Sequence, residues 1–407
     1  MDKNKKTILF VGGGKETLPG VNLAKQMGLN VVVSDVNPQA PCKYMADHFL
    51  LCDIYDIKST LSKAKAFNKK KMINGVICMA SDVPLTVATI AKELKLPRIP
   101  INSAKIVSDK IRMKDCFKKN GLPIPLYKQV FNTQDIVKSI KSLGLPMVIK
   151  PADSRGARGV ILITKEKDIE WSYLTSKSFS PKKKVLIEQY MKGPQISTES
   201  LVIRGKVYTI GFADRNYEYL NKYAPYMIEN GGDLPSKLNK KEAHLIRTAV
   251  EKTAKALNIK NGVIKGDMVL CNKKPYIIEV AARLSGGYFC SHEIPSNTGI
   301  NFVENTIKLA IGEKINTAEL KIKYNKPVTQ RYFFPKPGKV KKIKIPSWIK
   351  NDKNIVLFDL SVKMGDKIEN ITHHPSRAGV VICTGLTSHL ARKLAKRVVN
   401  ETIIETL

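Results

Sequence analysis

No apolar run in this chain approaches the ~18–20 residues that a bilayer span needs. The opening stretch, MDKNKKTILFVGGG, lacks the pattern of a secretory signal. Its apolar run is short and ends in glycines rather than a small-residue cleavage site. The expectation is a cytoplasmic protein with no membrane partner. Cysteine is scarce: there are seven, with no CxxC, and most sit in apolar stretches such as GVICMA and MVLCN. That argues against zinc and disulfides and for buried thiols in a reducing compartment. The six histidines show no ligand spacing, and His373 and His374 are adjacent, so they cannot share one face. No GxxxxGK[ST] loop exists, which excludes a P-loop. No Ser/His/Asp or Cys/His nucleophile constellation is visible either.

Arginine is also rare. Of 69 basic residues only 12 are Arg, against 35 Asp and Glu, for a net charge of +34. Such a charge invites a nucleic-acid reading. Base and phosphate readers favour the bidentate Arg fork, however. The lysines are scattered apart from short runs within 69–71, 182–184 and 339–344, so no specific nucleic-acid partner is expected. What remains is an ordinary globular composition, 43% hydrophobic and 26% charged. A length of 407 residues predicts two to four domains.

The first ~105 residues alternate apolar β-branched runs (TILFVGG, NVVVSDV, DHFLLCD, GVICMASD) with helical stretches, among them 17–28 and PLTVATIAKEL. This βαβ pattern predicts a parallel sheet with helices on both faces. From about Asn102, IVSDKIRMKDCFKKNGLPIP reads as one helix, with Ser108 or Asp109 as its cap and Gly121 and Pro123 as its stop. MVIKPADSRGARGVILI reads as strand, glycine-rich loop, strand, and KVLIEQYM as another strand. QISTESLVIRGKVYTIGFADR reads as a hairpin turning at Arg204–Gly205. Residues 240–257 form an amphipathic helix. GVIKGDMVL and PYIIEVAAR are strands joined by the turn Cys271–Lys274. The last ~95 residues hold short strands and a closing helix, LTSHLARKLAKRVVNETI.

Gly12-Gly13-Gly14 follows the first strand, with Asp35 closing the second. A dinucleotide fingerprint starting at Gly12 needs glycine at 17, where this chain has Thr17, so a tight strand–helix turn is the favoured reading. The segment 150–159 says more. Lys150 ends an apolar strand, and a strand-end Lys that is buried needs an anion. The loop Asp153-Ser154-Arg155-Gly156-Ala157-Arg158-Gly159 carries two Gly and two Arg. Glycines let backbone N–H groups approach phosphate oxygens and Arg adds charge-assisted bonds, so the loop suits a flap over polyphosphate.

Asp267 and Glu279 carry the argument furthest. With the hairpin centred on Lys273 they stand opposite each other. Opposed carboxylates repel, and a divalent cation held by hard oxygens removes that penalty. A one-residue slip would put them on opposite faces. Arg283 lies four residues after Glu279 and can neutralise a developing acyl phosphate. The plainer alternative is that Arg283 merely pairs with Glu279.

These motifs in this order resemble the ATP-grasp superfamily, nearest to its biotin carboxylase and carbamoyl phosphate synthetase-like branch of carboxylate–amine ligases. The resemblance runs through the leading glycine turn, Ser108-Asp109-Lys110, MVIKP, the flap, IEQYMKGP, IIEVAARLSGG and the closing Arg377-Ala378-Gly379. It implies an α/β and α+β multidomain chain: a Rossmann-like pre-ATP-grasp domain over 1–105, an ATP-grasp domain over 106–312 with the flap-bearing part at about 106–188, and a small C-terminal α+β segment over 313–407. It implies ATP and Mg²⁺ (or Mn²⁺) as cofactors. Lys110 and Lys150 are similar to lysines that touch ATP phosphates. Ser154, Arg155, Gly156, Ala157, Arg158 and Gly159 resemble the flap. Glu188 with Gln189, Tyr190 and Met191 resembles the adenine-binding hinge, and Glu199 an acidic position near the ribose. Asp267 and Glu279 resemble the metal ligands, and Arg283, with Lys150, the catalytic cations. Ala281 departs from the Asn of many relatives, which puts a second metal in doubt, and Gln195 stands where some carry Glu.

The expected activity is ATP-dependent activation of a small carboxylate as an acyl phosphate, followed by capture by an amine. Its partners are then small-molecule acid and amine substrates, with a homodimer as one option. A bicarbonate-activating or carbamoyl-phosphate-type enzyme is the alternative, and the lack of a biotin-carrier or glutaminase segment counts against it. A nucleotide-binding regulatory module without turnover is the non-enzyme alternative. Substrate contacts are expected on 214–233, on 285–292 and near Arg331.

Overall fold

A computed structural model describes residues 5–407. Four strands, β1 Thr7–Val11, β2 Asn30–Asp35, β3 His48–Leu51 and β4 Gly75–Ile77, form an all-parallel sheet in the order β3-β2-β1-β4. The sheet is buried on both faces, so its strands read as continuous apolar runs. On one face Ile8, Phe10, Val31 and Val33 pack beneath the helices Leu18–Gln26 and Phe302–Ala310; on the other Leu9, Val11 and Val32 pack beneath Ile57–Lys70 and Pro84–Glu93. The helix Phe302–Ala310 comes from nearly 300 residues further along the chain.

Four antiparallel strands, β5 Tyr127–Val130, β6 Met147–Pro151, β7 Ile161–Ile163 and β8 Val185–Gln189, pair in the order β5-β8-β6-β7. The glycine-rich loop joins β6 to β7. Helices Thr133–Leu143 and Ile169–Ser178 cover this sheet.

The main sheet has eight strands. β9 Gln195–Ile203, β10 Lys206–Arg215, β11 Gly232–Leu234, β12 Gly262–Cys271 and β13 Lys274–Ala281 come first in the chain. β14 Val328–Tyr332, β16 Ile355–Leu360 and β18 Gly379–Thr384 follow, giving the order β13-β12-β9-β10-β11-β14-β18-β16. Strands β14, β16 and β18 of the closing segment thus extend the sheet that β9–β13 begin. β15 Gly338–Lys344, β17 Lys367–Ile368 and β19 Ile403–Thr406 make a separate small sheet, and helix Ser388–Glu401 packs beside β14 and β18.

The helix expected to start at a Ser108 or Asp109 cap runs over Lys110–Lys119, and a separate short helix, Ile101–Val107, precedes it. They separate because the Asp109 carboxylate accepts the N–H groups of Ile111 and Arg112, which caps the second helix. Ser108 is not that cap; its hydroxyl bonds back to Ala104.

Candidate active site

The flap sheet, the main sheet, the end of the leading sheet and the loop 374–379 enclose a cleft of about 670 Å³. Its floor is the β12–β13 hairpin. Asn272 and Lys273 both have positive φ (49° and 60°), so the turn is a two-residue one. Cys271 therefore pairs with Lys274, and the hairpin is centred between 272 and 273, not on Lys273. That register alone would set Ile278 opposite Asp267. Instead the ladder shifts between Asp267 and Met268, and Asp267 faces Glu279. Ile278 is the extra residue of a β-bulge. Because of it, Ile277 and Val280, three apart, both point into one core, while Ile278 and Glu279 both line the cleft.

Asp267 is crowded by cations. Its carboxylate meets Arg215 at 3.1 Å, the Ser197 hydroxyl at 2.8 Å and the Lys265 ammonium. Burial opposes its ionisation, yet Arg215 and Lys265 hold the carboxyl well below the usual range. Glu279 sits 3.4 Å from Lys110. Burial again opposes, but Lys110 and Lys150 bring its pKa down to about 2. Both groups are carboxylates, aimed at the same space.

Beneath the flap, Glu188 is held between two lysines. Lys114 lies 2.6 Å away and Lys150 closes on the other oxygen. Lys114, Lys150 and Glu188 are 0%, 3% and 3% exposed, so one buried anion serves two buried cations. Burial first, and Lys150 second, lower the Lys114 pKa to about 8. Lys110 donates to the Ser154 carbonyl at 2.7 Å, at the root of the flap.

The flap is held from both sides. Arg155 stacks 4.1 Å over the Tyr55 ring of the leading domain. The His374 N–H donates to the Gly156 carbonyl at 3.0 Å, with Pro375 against Gly156. Gly156 and Ala157 have φ of 63° and 58°, which turns the chain back above the cleft. Asp153 anchors the root by accepting from Ser180 (2.6 Å) and the Lys182 N–H (3.0 Å).

Among the sequence-derived residues, Lys110, Lys150, Ser154 to Arg158, Glu188 to Met191, Asp267, Glu279 and Arg283 all line this cleft. Two do not. Glu199 is 0% exposed and bonds the Ser285 N–H (2.8 Å) and hydroxyl behind the cleft wall. It shares a face of β9 with Ser197, two residues away; Ser285 seals Glu199 off while the Ser197 hydroxyl reaches Asp267. Gly159 packs on Pro151 and Phe179, because the loop has already turned back into β7. Arg283 pairs with Asp82 at 3.4 Å and donates to the Leu284 carbonyl, so the simple pairing with Glu279 is not formed. Asp35 accepts the Gly13 N–H at 2.7 Å, and a Cβ on Gly12 would meet Ser81 at 2.2 Å; the glycines serve a tight turn.

Of the stretches where substrate contacts are expected, Arg215, Tyr217, Met227 and Glu229, and Ser285 to Phe289, line the cleft. Arg331 itself lies under the cleft on Asp233, while its neighbours Gln330 and Tyr332 line it. Sequence reasoning missed Lys114, Lys265, Asp82 and Glu16, and named Arg215 only as part of the stretch 214–233. Lys114 had a signal: it follows Lys110 by four residues, on one helix face, with no acid on that helix turn to pair with it. Glu16, which accepts the Gly287 N–H at 2.8 Å from 271 residues away, had none. The seven cysteines are all free and five are buried, as their apolar settings implied. No helix among the described residues is long and apolar enough to cross a membrane.

A cleft floored by opposed carboxylates, walled by lysines and covered by a glycine loop has the donors and the charge to hold a polyphosphate. The ATP-grasp domain model matches residues 107–287, and the model described as L-amino acid ligase C-terminal domain 2 matches 331–406. Residues 107–287 thus form an ATP-grasp domain, and 331–406 a C-terminal domain of the kind found in L-amino acid ligases.

The chain is similar to an L-amino acid ligase from Bacillus licheniformis, with a TM-score of 0.84, 20% identity and 99% of both chains covered. It is also similar to an N5-carboxyaminoimidazole ribonucleotide synthetase from Thermotoga maritima, with a TM-score of 0.72 and 16% identity over 99% of this chain and 100% of that one. These two likenesses show the fold. By sequence it is 24% identical to a D-alanine–D-alanine ligase of Paracidovorax citrulli, over 57% of this chain and 72% of that one. It is 23% identical to an uncharacterized protein of Sinorhizobium fredii, over 78% of this chain and 66% of that one. The chain spans 61–72% of the length of the first three curated relatives it matches.

Proposed function

We propose that this chain is an ATP-dependent ligase that activates a small carboxylate, an amino acid or a close analogue, as an acyl phosphate and joins it to an amine. The observation that carries the reading is the opposition of Asp267 and Glu279 inside a ring of Lys110, Lys150, Lys265, Arg215 and Arg283. Superfamily members use ATP with Mg²⁺. Two hard carboxylates suit that ion, which takes one or two protein carboxylates and completes its shell with phosphates and water. No group of three or more His, Cys, Asp or Glu converges among the described residues, which fits that shared mode. Asp267 and Glu279 would hold the ion, and it would neutralise charge on the phosphates.

This chain's own groups do the rest. Lys110 and Lys150 leave Glu279 and Glu188 in part to meet phosphate oxygens. The flap covers the triphosphate and excludes water. Val148, Met191, Val269 and Ile278 offer an apolar slot for the base beside the hinge at Gln189–Met191. The substrate carboxylate attacks the γ-phosphate, ADP leaves, and Arg283 grips the acyl phosphate until the amine displaces phosphate. The L-amino acid ligase model over 331–406 supports an amino acid as one substrate.

The test uses acid labelled with ¹⁸O in its carboxylate. One labelled oxygen should appear in the released phosphate. Phosphate released without label would overturn the acyl phosphate route.

A further inference from the structure

We propose that Glu293 receives the protonated amino group of a substrate, so that the cleft selects amino acids over plain carboxylic acids. The proposal rests on the ligase reading above and adds the residue that would read the ammonium.

Glu293 ends a five-residue π-helical turn, Phe289–Glu293. Such turns are rare and cluster at functional sites. The residue before it, Tyr288, holds a left-handed backbone (φ 62°), which a bulky side chain seldom adopts. The strained turn places Tyr288, Phe289 and Glu293 on the lining of the cleft.

Glu293 is 3% exposed. Its side chain forms no hydrogen bond and no ion pair with any described residue, and only more distant charges act on it. The strongest of those charges are mostly acidic, Glu229, Asp233 and Glu199, with Arg331 opposing them. The other acids are provided for. Glu229 pairs with Arg215 at 2.6 Å, Asp233 takes Arg331 and the Thr329 hydroxyl, and Glu199 takes Ser285. Arg331 gives its terminal N–H groups to Asp233 and to the carbonyls of Gly232 and Gln330, and its Nε lies nearest Glu218, at 3.9 Å. Glu293 alone is left without a partner.

A buried carboxyl without a partner costs stability, and a structural one would carry hydrogen bonds. A ligand cation supplies what is missing. An ammonium fits best: it is compact and donates three hydrogen bonds. Burial and the neighbouring acids raise the Glu293 pKa well above the usual carboxyl range while the site is empty, and an arriving ammonium reverses that balance. The ammonium belongs either to the acid that is activated or to the amine that attacks; an attacking amine must first give up a proton, which the Glu293 carboxylate takes.

The test measures phosphate release with ATP and Mg²⁺ for pairs that differ only in the amino group: L-alanine and propionate, L-leucine and 4-methylpentanoate, L-glutamate and glutarate. Hydroxylamine, which is mostly uncharged at neutral pH, serves as the attacking amine in one arm. In the other, the best acid is fixed and each amino acid is offered as the amine. Wild type should prefer the amino form by about 10³-fold or more in kcat/KM, since a site built for a polar group rejects analogues that lack it. Glu293→Gln should erase at least a hundredfold of that preference, mainly through KM, with KM for ATP unchanged. Glu293→Asp should restore part of it. Loss in the hydroxylamine arm assigns the ammonium to the acid, and loss in the second arm to the amine; both support the subsite. The melting temperature of Glu293→Gln should match or exceed wild type. A lowered melting temperature, an unchanged preference, or equal use of both members of each pair by wild type would overturn the subsite alone. Phosphate release with no acid, while ATP still binds, would overturn the ligase reading and the subsite with it.

Discussion

Asp267 faces Glu279 across the β12–β13 hairpin because one extra residue, Ile278, lies between the pairs Met268–Ile277 and Asp267–Glu279. The turn alone would have put an isoleucine opposite the aspartate. The bulge also turns the Ile278 carbonyl to the Lys114 ammonium at 3.3 Å, so one backbone irregularity positions a carboxylate and a buried lysine together.

Glu279→Gln keeps the shape of that pair and removes one charge. Turnover should fall at least about a hundredfold, the scale seen when a charge-stabilising group is lost. The fold should persist, because Glu279 borders the cleft and its main contact is Lys110. Wild-type turnover across a magnesium titration would place the metal elsewhere.

Glu188 and its two lysines are not equivalent. Lys150→Ala leaves Glu188 paired with Lys114, so the fold should survive while ATP binding weakens by about 1.5–3 kcal/mol, the scale of a bond to a charged group. Glu188→Gln strands two buried ammonium groups and should cost about 3–5 kcal/mol of stability. Denaturant melts of both variants check the order; equal loss would contradict it.

Glu199 makes stability depend on pH. Burial pushes its pKa up to about 7, with the Ser285 bonds only partly offsetting this. Between about 4.5 and 7 the folded state therefore holds a proton that the unfolded state has released. By linkage this contribution is present below about 4.5 and is lost as pH rises through 7. Glu199→Gln should flatten that segment of the stability profile. An unchanged slope from pH 4.5 to 7 would count against the assignment.

Gly156→Ala tests the closed flap. A Cβ there would be 3.1 Å from Pro375, on a backbone with φ of 63°. Strain of this kind costs on the order of 1 kcal/mol. The Michaelis constant for ATP should rise about tenfold with the melting temperature unchanged. A variant with wild-type ATP dependence would show that the flap does not need this contact.

The +34 charge should give weak retention on DNA that disappears with salt. Binding to one sequence that survives about 200 mM salt, where non-specific contacts are much weakened, would overturn the reading of the lysines as scattered surface charge.

The sequence by itself determined the elements and the order of the chemistry. Period-two and β-branched runs marked most strands, and glycines marked the leading turn and the flap. Lys150, Asp267, Glu279 and Arg283 were legible because each sits at a strand end or in or beside a hairpin, where local rules operate, whereas Lys110 was reached through the family resemblance. Tertiary structure decided what local rules cannot express. A bulge leaves no mark in a hydrophobic pattern, so the opposition of Asp267 and Glu279 was inferred from a turn centre half a residue away from the real one. Glu199 and Ser197 lie two apart on one strand, and only the packing around Ser285 shows that one is sealed off while the other reaches Asp267. Lys114, Glu16 and Glu293 depend on partners, or on their absence, 74 or more residues away, and such pairings are fixed by the way the sheets stack around the cleft.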